Sequence, residues 1–103
     1  MKFSSAVTLV FFLWPALAAA DDEVAERGRA LAEEHCARCH AIGRDDSSRL
    51  PIAPAFRELM QRYPADSLAE ALAEGIVTGH HQMPEFEFPP DQIEALVRYL
   101  DTL

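Results

Sequence analysis

The chain has 103 residues, half of them hydrophobic, and its seventeen acidic against nine basic residues give a formal net charge of −8. That length allows a single small domain with a modest core, and the negative balance disfavours nucleic acid as a partner. Two cysteines are too few for a disulfide scaffold, and no repeat, basic tract or low-complexity segment suggests an array or a disordered tail.

Residues 1–20 read as a secretory signal peptide. Lys2 supplies a short positive start, an apolar run extends from Ala6 to Leu17, and Ala18, Ala19 and Ala20 precede the abrupt Asp21-Asp22-Glu23. The run is shorter than the roughly 20 residues of a membrane span and is broken by Pro15. Cleavage after Ala20 is therefore expected, leaving a domain over 21–103, exported to the periplasm in a bacterium and without stable membrane insertion. Losing Lys2, the only lysine, leaves eight arginines against seventeen acids, a net −9. A complementary basic patch on a partner is the natural expectation from that charge.

From Asp22 to about Cys36 the pattern is helical, with Asp22 and Glu23 at the positive end and Val24, Gly28, Leu31 and Ala32 recurring at near-helical spacing. Gly28 costs about 1 kcal/mol relative to alanine inside a helix, so it is either a tolerated surface glycine or a point of close approach by another helix. The stretch Cys36-Ala37-Arg38-Cys39-His40 follows. C-x-x-C-H reads as the attachment site of one covalently bound haem c. Two thiols three residues apart can each form a thioether to a haem vinyl, and the adjacent His40 can ligate the iron. A disulfide between Cys36 and Cys39 would close too small a loop to add much stability, and a thioredoxin-like pair calls for a βαβ setting that is absent.

Residues 41–53 are polar and turn-rich, and the length of this loop suggests that it wraps something. Phe56, Leu59, Met60 and Tyr63 then mark a short amphipathic helix closed by Pro64. Ser67 to Glu70 match a capping box ahead of a third helix that ends at Gly75. Residues 76–90 are irregular again. Pro90 opens a final helix, with Ile93, Leu96, Val97, Leu100 and Leu103 on its buried side and Tyr99 beside them. The fold class is all-α.

With His40 as one axial ligand, the sixth position could be taken by Met60, Met83, His35, His80, His81 or water. Met60 falls within the apolar stripe of its helix and reads as core filling, while His35 precedes the first cysteine and reads as helix surface. Met83 has no helical period to explain it and stands before Pro84, which holds its predecessor extended. Met83 is the preferred ligand, with His80 and His81 next, and His/Met ligation raises the reduction potential.

From about Val24 to Leu103 these separated motifs resemble a small bacterial class I monohaem cytochrome c. The resemblance implies three to five helices around one haem, with the N- and C-terminal helices packed across each other and Gly28 against Tyr99. It also implies a proline carbonyl holding Nδ1 of His40, and Pro54 in Ala53-Pro54-Ala55-Phe56 is the choice over Pro51. There are departures: Ala32 replaces a frequent aromatic, no tryptophan remains beyond Trp14 of the leader, and the haem-edge lysines of mitochondrial members are missing. Arg44 and Arg49 are candidate propionate partners. The function implied is a monomeric, periplasmic electron carrier that exchanges single electrons with redox proteins and transforms no substrate. The alternative is a haem enzyme or gas sensor with an open or His-ligated sixth position.

Overall fold

The computed structural model describes residues 2–10, 14–75 and 82–103, with the backbone alone for 14–18. Four α-helices follow one another: α1 (Trp14–His35), α2 (Phe56–Arg62), α3 (Ala69–Glu74) and α4 (Pro90–Leu100). No strand occurs among the described residues. Helix α1 begins eight residues earlier than expected at Asp22 and takes in residues 14–20 of the stretch whose composition reads as a signal peptide. The physical reason is that Trp14 to Ala20 contain no glycine, and their one proline lies in the first turn, where its missing N–H costs nothing. Beyond His35 the backbone stays tightly wound. The Cys36 and Ala37 N–H groups both donate to Ala32 O, and His40 N–H donates to Cys36 O at 2.9 Å.

Gly28 sits where α1 meets α4. A Cβ built on it would lie 1.9 Å from Ala95 O and 2.7 Å from Tyr99 Cβ, so no larger residue fits unless the helices separate. The core lies beside this contact and joins Ala32 of α1, Ile42 of the following loop, Phe88, and Ile93, Leu96 and Tyr99 of α4. Ala32 has no exposed surface. A bulkier side chain there would have to displace other members of this cluster.

The entry to α3 departs from the capping box. Ala65–Leu68 form a 3₁₀ turn instead, and the Ser67 hydroxyl donates back to Pro64 O at 2.7 Å. Pro64, extended at φ −64° and ψ 145°, starts that turn, so Ser67 falls inside it and has no free helix N–H to accept from. Helix α3 then ends at Gly75, whose φ of +93° suits glycine alone. Helix α4 starts at Pro90, carries Asp91 in its first turn and Arg98 in its last, and buries Ile93, Ala95, Leu96, Tyr99 and Leu100. Tyr99 is thus part of the buried face, while Val97 and Leu103 are only half-buried.

Candidate functional site

The end of α1, the loop 41–55, helix α2 and the segment 82–88 border one cavity of about 810 Å³. Cys36, Cys39, His40 and Pro54 line it together with Met60 and Met83, and most of the remaining wall is Leu, Ile, Phe and Ala. His40 Nδ1 lies 2.7 Å from Pro54 O. A carbonyl oxygen can only accept, so Nδ1 is the donor, and in the neutral ring the lone pair then lies on Nε2. Phe56, two residues after Pro54, packs on the ring with centroids 5.2 Å apart. The imidazole is therefore held at one edge by a hydrogen bond and on a face by an aromatic.

Why the loop holds Pro54 against His40 follows from its hydrogen bonds. The Asp46 carboxylate accepts from Ile42 N–H at 3.1 Å and from Gly43 N–H at 3.0 Å, and Ser48 Oγ accepts from Ala41 N–H at 2.9 Å. Arg57 of α2 donates to Gly43 O at 3.3 Å and pairs with Asp46 at 3.4 Å. Phe56 N–H donates to Ala41 O at 2.9 Å. Two further bonds tie the loop to α4 and the residues after it: Tyr99 Oη–H donates to Ile42 O at 2.5 Å, and Arg44 of the loop donates to Thr102 O. Arg44, a candidate propionate partner, is thus tied to the chain end. Burial raises the Tyr99 pKa above the ordinary tyrosine value, the largest of several influences on it.

Burial likewise pushes the Cys36 thiol up to about 11. A reactive disulfide-exchange cysteine needs the opposite shift. Both cysteines are free thiols and partly buried.

The other border is built differently. Phe86 and Phe88 stack with centroids 5.5 Å apart, and the His35 ring meets both edge-on at 5.7 and 5.4 Å. His35 therefore does not lie on the helix surface as expected. It is wedged between the end of α1 and the segment that follows Met83, because the chain returns across the end of α1. Phe88 N–H donates to Leu72 O at 3.1 Å, the one backbone hydrogen bond described for this segment before Pro89. Met60 also reaches the cavity, so both methionines border the same space. His80 and His81 lie outside the described residues.

Asp46, Ser48, Arg57, Phe56 and the Phe86–Phe88 pair escaped sequence reasoning. Loop acids and serines look alike whether they cap a backbone or meet water, and two phenylalanines in an irregular stretch show no period.

The arrangement suits a flat, apolar cofactor held at one edge. The volume lies in the range of small-molecule and cofactor sites, the walls are largely hydrophobic, and the soft or borderline donors bordering it are two thiols, the imidazoles of His35 and His40 and two neutral thioethers. No helix among the described residues is long and apolar enough to cross a membrane.

Comparison with known proteins agrees with this arrangement. Residues 23–100 match the sequence profile of the family described as cytochrome C oxidase, cbb3-type, subunit III. Over 79 residues the chain is 33% identical to a Synechocystis sp. protein described as cytochrome c-553-like, an alignment that covers 77% of this chain and 69% of that protein. No solved structure matches the chain significantly.

Proposed function

The chain belongs to the small monohaem class I cytochrome c family, and on that premise we propose that it is a periplasmic electron carrier with His40 and Met83 as axial ligands. The observation that carries this reading is that both thiols of the attachment motif, His40 and Met83 border one apolar cavity. In this reading Cys36 and Cys39 are the thioether anchors, and Pro54 fixes the tautomer and orientation of His40 through its carbonyl. The haem, when bound, supplies a one-electron ferric/ferrous couple.

What the chain's residues contribute is position and exclusion of water. The Nδ1 bond to Pro54 fixes the orientation of the ring and turns Nε2 toward the cavity as the nitrogen available to a metal. The thioether of Met83 is neutral and soft, so it favours the ferrous state and raises the potential. Leu96, Leu100, Phe56 and Leu72 keep the cavity dry and add to the same preference. Were His40 and Met83 both to hold the iron, no open position would remain for a substrate, which is what separates a carrier from a haem enzyme.

Export fits the same picture. Cleavage after Ala20 would leave Asp21 at the start of the mature chain, and Asp21 pairs with Arg98 of α4 at 2.7 Å. Partners are redox proteins that meet the monomer briefly through a small interface.

The test is the optical spectrum of the ferric holoprotein. The weak long-wavelength band of sulfur-ligated haem is expected, and replacing Met83 by alanine should abolish it and let carbon monoxide bind the ferrous form quickly. Retention of the band in Met83→Ala would overturn the ligand assignment. Fast carbon monoxide binding by the unaltered protein would overturn the carrier reading.

A further inference from the structure

His35 is the last residue of α1 and stands beside Cys36, the first thiol of the attachment stretch, and both line the cavity. Its ring meets Phe86 and Phe88 edge-on, with centroids 5.7 and 5.4 Å away. Both separations fall within the roughly 4.5–7 Å at which aromatic rings attract one another edge to face. The two phenylalanines stack at 5.5 Å, so the three rings form one cluster, and the imidazole is the member that α1 contributes. Glu85 and Glu87 are exposed, while Phe86 is half-buried and Phe88 buried. That alternation is the period of an extended segment, with both phenyl rings on one side.

The one backbone hydrogen bond described for this segment, Phe88 N–H to Leu72 O, lies at the end away from Met83. Between Met83 and Phe86 stand only Pro84 and Glu85, a span of at most about 11 Å. Pro84 has a fixed φ and keeps Met83 extended, so a displacement of Phe86 is passed on to Met83. The end of α1 is stiff by contrast: Cys36 N–H donates to Ala32 O at 2.8 Å, and Ala32 is completely buried. Charge adds little to the hold. Glu34 lies 3.8 Å from the His35 ring with its side chain 72% exposed, and an exposed contact of that kind contributes almost nothing.

Resting on the reading of His40 and Met83 as axial ligands, we propose that His35 is the positioning residue for Met83: its ring, wedged against Phe86 and Phe88, carries the rigidity of the attachment stretch to the thioether side. One end of α1 thus serves both axial positions, leading directly into His40 and steadying Met83 through His35. The contact uses the flat shape of the ring and not its charge.

The test uses the holoprotein and two readouts, the rate of carbon monoxide binding to the ferrous form and the long-wavelength band of the ferric form. His35→Ala should raise the binding rate about tenfold and weaken the band at room temperature. His35→Phe, which keeps a flat ring, and Glu34→Gln should both stay within about twofold of the unaltered protein. In His35→Ala/Phe86→Ala the rate should fall well short of the product of the two single effects, because both changes remove one shared contact. A His35→Ala protein that melts earlier yet binds carbon monoxide as slowly as the unaltered protein would overturn the proposal, since plain packing lowers stability without freeing the iron. Equal opening by His35→Phe, or fully multiplicative effects in the double variant, would overturn it as well. Should His35→Ala not fold around its haem, His35→Leu, which keeps bulk without a ring, is held to the same criteria. Fast carbon monoxide binding by the unaltered protein would instead remove the axial reading, and this proposal with it.

Discussion

Residues 41–57 and residues 82–88 both border the cavity, but the first stretch is held by directional bonds and the second by aromatic packing. Asp46, Ser48, Arg57 and Tyr99 together fix the loop that carries the Pro54–His40 contact. Past Met83 the chain relies on Phe86, Phe88 and His35, with Phe88 N–H to Leu72 O as its described backbone tie. Hydrogen bonds fix direction and tautomer, whereas apolar contacts hold a segment close without fixing its angle. The imidazole side is thus built for permanence, and the thioether side yields first.

The largest test removes what both sides enclose. Cys36→Ser/Cys39→Ser, which prevents attachment, should leave the chain largely disordered by circular dichroism. Without the cofactor the apolar cleft of about 810 Å³ is left open to water, and a domain of this size, stable by only ~5–15 kcal/mol, has little other core to rely on. A cooperative thermal transition in this variant would show that the helices need no cofactor. Gly28→Ala comes next, since it separates the helices on which both sides rest. The overlap with Ala95 O should cost about 3 kcal/mol in denaturant titration, and a loss below 1 kcal/mol would show that α1 and α4 shift freely.

Two further changes address the sides separately. Asp46→Ala strips two loop N–H groups and Arg57 of their acceptor and should cost ~1–3 kcal/mol while leaving the long-wavelength band in place. Phe86→Ala should weaken that band on mild heating well before global unfolding. If the two variants behaved alike, the contrast between the sides would fail.

The smallest effect concerns Tyr99. Its phenol donates to Ile42 O, and Tyr99→Phe should cost about 1–2 kcal/mol by leaving that carbonyl unpaired. Because burial raises the pKa above 10 in the folded state, the folded protein binds this proton more tightly than the unfolded chain. The Tyr99 contribution is thus fully present below pH 10 and is lost as pH rises through the folded-state value. Alkaline destabilisation above pH 10, shown by thermal melts, should shrink in Tyr99→Phe.

How far each side was legible follows from the same contrast. Pro90 and Asp91 announce α4, its apolar period announces its buried face, and Gly28 announces a close contact, since each signal is local and repeated. The entry to α3 was misread because Pro64 placed Ser67 inside a 3₁₀ turn. His35 reads locally as a surface residue because its partners, Phe86 and Phe88, are some fifty positions away in an unpatterned stretch. Asp46 and Arg57 show the same blindness, as nothing in a polar loop tells which acid turns inward to cap the backbone.

By itself the sequence determined the chemistry and the class of fold. The spacing of Cys36, Cys39 and His40 is a covalent requirement, and helical period and proline placement act within a few residues. The tertiary structure decided which loop acid and arginine hold the segment that carries Pro54, which side chains enclose the cavity with Met83, and where His35 comes to lie. Those depend on which distant segments cross, and crossing is set by the summed burial of many side chains, which no single stretch records.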